Sequence, residues 1–552
     1  MSSFRTRWAR GFLDCSACVF LVGLATFQLS RAILPGPIDG PWWAAGTDAY
    51  LFGPDAGEWA MQAAALASGN FEQLDAHRMP TWTVLTVATM RVSGLDVVYA
   101  GHLVNKLLLL ALGPALYGLG RASGMRAGAL AVAALAVIEP SLVGAATRFG
   151  VDPTVTTFLP LCLLAAYASG RWWWFAPIGG ALAALLAASH LSALAYPIPA
   201  LLMCLLNGSG WRRWAGSATF VATTAAALYV IYQVFPFLPD QFLVDAVAEG
   251  IQPTGAPTDA ETAASRASAV ALVRQNGPSA VVSATAAITS AYGPKNVPWL
   301  VLAVAVALGV WSSAVFEPGA PGASRASRIF SGWATGFPLL AACAPLVLFA
   351  AAELPARYSQ NVLPVGGLVL FRGLTLLIAG VAKITGRPRS PLSIILSEAS
   401  ILVIAGFVDR VPPPRDHSGE PPASEALGLD VGHALAAHFP PGIEAASPLR
   451  EALPYAGLRY CPDTVCPTGP TETEVRACIE ILRAECAGTG AIPFVVAPRL
   501  SLEQEGPFRT ALNDWIEARF DPVATTAEAQ IYAIPRVGEF PQPGRESGPP
   551  PR

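Results

Sequence analysis

Charge is scarce in this chain. Of its 552 residues only 13% are Asp, Glu, Lys or Arg, where a soluble domain carries about a quarter. That shortage excludes a disordered chain, a coiled coil and an ordinary cytosolic enzyme. No basic run is interleaved with aromatics, so no nucleic-acid partner is implied. Histidine is rare, with six copies, and zinc is the weaker reading of the tail cysteines, since His433 and His438 lack the usual spacing to them. Internal repeats are also missing. What remains is apolar, with 53% hydrophobic residues and a mean hydropathy of +0.47. This composition implies an α-helical polytopic membrane protein.

Apolar runs of about 20 residues recur, as spanning helices require. They fall near 12–33, 97–119, 127–147, 153–170, 172–189, 191–207, 215–235, 298–316, 329–351, 361–382 and 391–408, about eleven spans. The stretch 172–207 reads as a hairpin or a re-entrant pair. Arg5, Arg7 and Arg10 precede the first span and place the N-terminus in the cytoplasm. With no convincing small-residue cleavage site after it, that first span reads as an anchor and not as a signal peptide. Alternation then puts Arg121 with Arg126, Arg171, Arg212 with Arg213, Arg325 with Arg328, and Lys383 with Arg387 and Arg389 in inner loops. Every inner loop is therefore basic.

The same alternation sends the loops 34–96 and 236–297, and the tail, to the outside. A membrane domain over 1–410 precedes a Pro-rich linker, 411–428, that includes Val411–Arg415 and Pro421-Pro422. Residues 429–537 read as a small α/β domain. Its expected helices are Val431–Phe439, Thr473–Ala487 and Pro507–Phe520, and its expected strands Gly457–Tyr460, Ile492–Ala497 and Gln530–Ile534. Residues 538–552 read as a disordered tail. Charge follows the division: 411–552 hold 19 acidic and 11 basic residues, whereas 1–410 hold 19 acidic and 24 basic. Cys461, Cys466, Cys478 and Cys486 would meet an oxidising compartment there, as disulfide candidates. Cys478 and Cys486 stand about 12 Å apart along a helix, too far to pair with each other.

The ionisable candidates share the outer side. The first outer loop carries Gly53-Pro54-Asp55-Ala56-Gly57-Glu58 and then Asp75-Ala76-His77-Arg78-Met79-Pro80; the fourth span opens Arg148-Phe149-Gly150-Val151-Asp152-Pro153; and Glu353-Leu354-Pro355-Ala356-Arg357-Tyr358 precedes a late span. In order and spacing these resemble the GT-C superfamily of membrane glycosyltransferases, which includes the protein O-mannosyltransferases and the lipid A aminoarabinose transferases. The resemblance covers the membrane part, and the tail is compatible with the family's extra outer domain. It implies that Asp55 acts at the catalytic centre and that Asp152 serves the acceptor or a metal. Arg78 and Pro80 match an Arg and Pro that lead toward the second span. His102-Leu103-Val104-Asn105 matches a motif at the start of that span, and Arg357-Tyr358 before Pro364 matches an Arg-Tyr pair. Asp55 is followed by Ala56 where many members have a second acid, and no Lys stands in the fifth span, where His190 lies.

Elementary chemistry supports these roles. Sugar transfer from a lipid phosphate needs a base for the acceptor and a group that stabilises the departing phosphate. Asp55 can be the first, and the Arg357 guanidinium can bind phosphate oxygens bidentately. Glu58, His77, Arg78, His102, Lys106 and Tyr358 are the remaining substrate-contact candidates. Each also has a purely structural reading. Asp55 and Glu58 have capping-box spacing, and Asp152-Pro153 looks like an N-cap followed by proline at the first helical position. Arg357 can pair with Glu353 one turn earlier. His102 and Lys106 can snorkel to the interface, and His190 reads as a polar residue packed between helices. Glu139-Pro140 reads as a kink, and Trp172–Trp174 as an interfacial aromatic belt.

The resemblance implies an inverting glycosyltransferase of the bacterial inner membrane with a periplasmic C-terminal domain. Its donor would be a polyprenyl-phosphate sugar held among membrane lipids, and its acceptor an extracytoplasmic lipid, glycan or protein. No cofactor is required outright; a divalent metal, Mg or Mn, would have Asp55 and Asp152 as ligands. Two rivals remain on sequence alone. One is a transporter or flippase of a lipid-linked sugar, which would show repeated halves or broken mid-membrane helices. The other is a non-catalytic assembly protein.

Overall fold

A computed structural model describes residues 2–32, most of 54–235, 334–345, 361–384 and, in the tail, 423–440, 444–446, 452–460, 492–498 and much of 522–533. The expected spans 298–316 and 391–408, the loop 236–297, the four tail cysteines and the expected helix Pro507–Phe520 lie outside the described residues, as does nearly all of Thr473–Ala487. Contacts divide the chain into two compact units. One comprises Met1–Leu34, Asp75–Trp82 and His102–Arg415, and the other Pro35–Leu74, Thr83–Gly101 and Asp416–Arg552. The second unit is thus assembled from distant parts of the sequence.

The helices in order are α1 (Ser2–Ala32), α2 (Pro54–Ser68), α3 (Pro80–Ser93), α4 (Val97–Ala122), α5 (Ala127–Ile138), α6 (Pro140–Ala146), α7 (Asp152–Arg171), α8 (Ala176–Ala187), α9 (Pro197–Asn207), α10 (Gly210–Val234) and α11 (Leu363–Ile384); the tail adds α12 (Ala423–His438) and α13 (Ala452–Tyr455). Among the described residues, four helices are long and apolar enough to cross a membrane: Phe12–Ser30 within α1, α4, Asp152–Gly170 within α7, and α10. The bent pair α5–α6 makes a fifth if it counts as one span. The chain is a multi-pass membrane protein.

Its break lies at Glu139-Pro140, where the axis turns by 57°. Proline at the first position of α6 removes one ladder donor, and the chain bends there as expected. The apolar stretch 172–207 does not form two full spans. It forms the 3₁₀ turn Trp173–Phe175, then α8, a second 3₁₀ turn at Leu191–Ala195, and α9. Pro177, Pro197 and Pro199 punctuate it. Trp172, Trp173 and Trp174 each expose about half their surface, as a belt at an interface would.

In the first unit α7 is central. It packs against α8 and α9, and α10 closes on α8 and α9. Small residues permit that closeness. A Cβ on Gly180 of α8 would lie 2.6 Å from the Phe220 carbonyl oxygen of α10, and close backbone approach of this kind drives helix association in membranes. The Thr224 hydroxyl also donates to the Gly180 carbonyl at 3.2 Å. On the other side α5 packs against α1 and α11. Near the basic end of α4, the Tyr117 hydroxyl donates to Asp14 at 2.6 Å, and Arg121 pairs with the same carboxylate at 3.2 Å.

The second unit holds a five-stranded mixed sheet ordered β2-β1-β3-β5-β4. Its strands are β1 (Glu444–Ala446), β2 (Arg459–Tyr460), β3 (Ile492–Pro498), β4 (Ala524–Thr525) and β5 (Ala529–Ala533). β1 pairs in parallel with β2 and β3, whereas β5 is antiparallel to both β3 and β4. Three strands stand where alternation puts them; β1 and β4, two or three residues long, carry too little pattern to be read. α12 starts at Ala423, eight residues before the expected Val431. The described residues of the segment 34–96, read as an outer loop, are largely helical: they form α2 and α3.

Candidate functional site

The short turn that precedes α7 is held by a buried side-chain amide. The Trp82 indole N–H, from the first turn of α3, donates to Asn105 Oδ1 of α4 at 2.8 Å. Asn105 Nδ2 in turn donates to the Gly150 carbonyl at 3.0 Å. One amide thus spends both its polar ends on fixing α3 and the 149–150 turn to α4. Phe149 fills the space beside it. Its ring meets Trp82 edge-on at 4.7 Å and His102 edge-on at 5.4 Å between centroids. Trp82, His102 and Asn105 are completely buried.

This turn delivers Asp152 to the start of α7. The residue is half-buried and is the first of the helix, not its cap: Val151 holds the N-cap position, and Pro153 falls one place further in than expected. One turn on, the Thr156 hydroxyl lies 3.1 Å from the Asp152 carbonyl oxygen and 3.1 Å from Asn361 Oδ1. Asn361 stands in the turn two residues before the start of α11, so the N-terminal ends of α7 and α11 meet here. Thr157 donates to the Leu108 carbonyl of α4 at 3.0 Å and holds the third helix in place. The positive ends of two helix dipoles therefore gather where Asp152 stands, beside the early turns of α4, an arrangement that favours an anion.

His102 and Lys106 do not snorkel. His102 is fully buried and Lys106 leaves only 5% of its surface exposed; both are drawn into the packing of α4. A buried basic side chain in this setting is far better suited to an anionic ligand than to a lipid surface. His190 lies in the turn between α8 and the 3₁₀ segment Leu191–Ala195, half-buried and outside any helix. Trp82, Phe149, Thr156 and Asn361 escaped the sequence reading. Asn361 carries one further signal: it is 1% exposed, and its Nδ2 has no hydrogen-bond partner among the described residues. A buried amide left in that state costs about 1–3 kcal/mol.

The second unit carries the remaining acids. α2 begins at Pro54, which places Asp55 inside the first turn and not at the cap. Glu58, one turn later, is half-buried. The Asp55 side chain and the whole of His77, Arg78, Arg357 and Tyr358 lie outside the described residues. Among the described residues, no three His, Cys, Asp or Glu side chains gather closely enough to hold a metal ion.

No family model matches the sequence, and no curated protein does. Solved structures do match. ArnT from Cupriavidus metallidurans bound to undecaprenyl phosphate aligns with a TM-score of 0.51 and 15% identity over 93% of this chain and 97% of its own. The same enzyme in the apo state gives 0.50 and 16% over 95% and 98%. The archaeal oligosaccharyltransferase AglB from Archaeoglobus fulgidus, in complex with an inhibitory peptide and a dolichol-phosphate, gives 0.52 and 12% over 95% and 75%. At such identities the likeness is one of fold. The chain has the fold of the GT-C membrane glycosyltransferases, as the resemblance of its motifs implied.

Proposed function

We propose that this chain is an integral membrane glycosyltransferase that moves a sugar from a polyprenyl-phosphate donor to an extracytoplasmic acceptor, with inversion. The observation that carries the reading is the buried assembly around Asp152. There the N-terminal ends of α7 and α11 meet beside the buried Asn361, with His102 packed on Phe149 in the turn before α7, an arrangement that favours an anionic ligand. Neighbours in fold that were solved with undecaprenyl phosphate and dolichol-phosphate support a lipid phosphate as that anion.

In the proposed reaction an acceptor oxygen attacks the anomeric carbon and loses its proton to the Asp55 carboxylate. The bond from that carbon to the phosphate oxygen breaks, and polyprenyl phosphate departs with the electron pair. Arg357 and Tyr358 stabilise the phosphate charge that develops. Asp152 orients the acceptor, Lys106 and His102 contact the donor phosphate, and Glu58, His77 and Arg78 line the entrance. To these Asn361 adds an unspent amide donor, which would otherwise be a net cost to the fold.

The test is release of polyprenyl phosphate from a panel of polyprenyl-phosphate sugars by purified protein in lipid, with a membrane extract as acceptor source. Wild type turns over at least one donor, and Asp55→Asn falls by about 10²–10⁴-fold, the usual worth of a general base. Parallel reactions with EDTA separate a metal-assisted from a metal-free mechanism. Full activity of the Asp55→Asn variant would remove Asp55 from its role.

A further inference from the structure

We infer that Met61 is a positioning residue, and that the tail serves the reaction by gripping the helix that carries Asp55. The inference rests on the reading above for what that helix does, and on the second unit alone for how it is held. α2 packs there against α13 and β2. Met61, nine-tenths buried, belongs to one apolar cluster with Val431 and Leu435 of α12, Leu453 of α13, Leu458 and Ile531 of β5. Four of these five tail side chains have no exposed surface at all. The core of the tail is therefore incomplete without a side chain from the first outer segment.

The grip is local to the acidic residues. Glu58 lies three positions before Met61, the spacing that puts two side chains on one helix face. Asp55 lies six positions before it, about 9 Å along the axis. A helix this short moves as a rigid piece, so a shift at Met61 is a shift at Asp55. Reacting groups tolerate little of that: misplacement by about 1 Å costs on the order of 10²-fold in rate. The tail side of the seat is equally tight. A Cβ at Gly432 of α12 would fall 2.4 Å from Tyr455 Cβ and 2.7 Å from the Ala452 carbonyl oxygen. Alanine at 432 would thus wedge α12 away from α13 without touching α2.

The experiment uses the full chain in lipid nanodiscs and two independent readouts. Hydrogen exchange across residues 54–68 reports the seating of α2, whether or not any donor turns over. Met61→Ala and Gly432→Ala are expected to speed that exchange at least tenfold while α7–α10 stay protected, and Met61→Leu is expected to restore it. Donor turnover then reports the consequence: kcat falls tenfold or more in both variants, the donor KM stays within about twofold, and Met61→Leu recovers kcat. Unchanged exchange over 54–68 in both variants overturns the grip. Faster exchange with wild-type kcat overturns the positioning role. A wild type that turns over no donor while exchange responds as expected refutes the glycosyltransferase reading and leaves the grip standing.

Discussion

Replacing Asn105 tests the frame on which Asp152 stands. Its side chain is fully buried and makes two hydrogen bonds, one from the Trp82 indole and one to the Gly150 carbonyl. Asn105→Leu keeps the volume and loses both bonds, leaving one donor and one acceptor unmet. In a soluble core each orphan would cost about 1–3 kcal/mol. Inside a membrane protein the unfolded state also finds partners, and measured couplings average roughly 0.6 kcal/mol with a maximum of about 1.7. The membrane values govern here, so the variant should lose about 1–3 kcal/mol in all. A double-mutant cycle with Trp82→Phe isolates the indole bond, since phenylalanine keeps most of the ring packing against Phe149 without the N–H. The expected coupling is about 0.6–1.5 kcal/mol, read from SDS-induced unfolding followed by circular dichroism. The same Asn105→Leu protein should turn over donor at least tenfold more slowly, because the loosened turn leads directly into Asp152. Additive costs, within about 0.3 kcal/mol, would show that the indole and the amide do not support each other.

Two further outcomes are expected. Asn361→Asp keeps an acceptor for the Thr156 hydroxyl but replaces the unspent N–H with negative charge, so the donor KM should rise at least tenfold; an unchanged KM would show that this amide does not meet the donor. Gly180→Val drives a side chain into the Phe220 backbone and should destabilise the bundle by about 1–3 kcal/mol, whereas Gly144→Ala, with open space at its Cβ, should melt as wild type in the same thermal scan.

Legibility followed the size of the physical signal. Long apolar runs announced α1, α4, α7 and α10, and the Glu139-Pro140 bend was readable because proline acts locally. α3 was hidden. Its sequence, Thr81-Trp82-Thr83-Val84-Leu85-Thr86-Val87-Ala88-Thr89, is rich in β-branched residues that are poor helix formers, and only packing makes it a helix. The turn that presents Asp152 was foreseen as a helix start, yet what fixes it was not. Asn105 came to notice through a motif, but a motif says nothing of which groups its amide meets. Asn361 lies between a polar stretch and an apolar span, and burial of its side chain is decided by Thr156, about two hundred residues away. The apolar tail pattern gave three strands and part of α12, while the gap that Met61 fills is a property of shape, which no periodicity encodes.

That gap also has a consequence in time. Met61 is made roughly 390 residues before Leu453, and ribosomes add about 5–20 residues each second. For something like half a minute the newborn α2 lacks the tail residues that seat Met61. A part of the chain made late thus completes an element made early. On the proposed reading, a nascent chain cannot hold Asp55 in place until Leu453 and Ile531 have been made, and a chain cut short before them lacks the core that seats Met61.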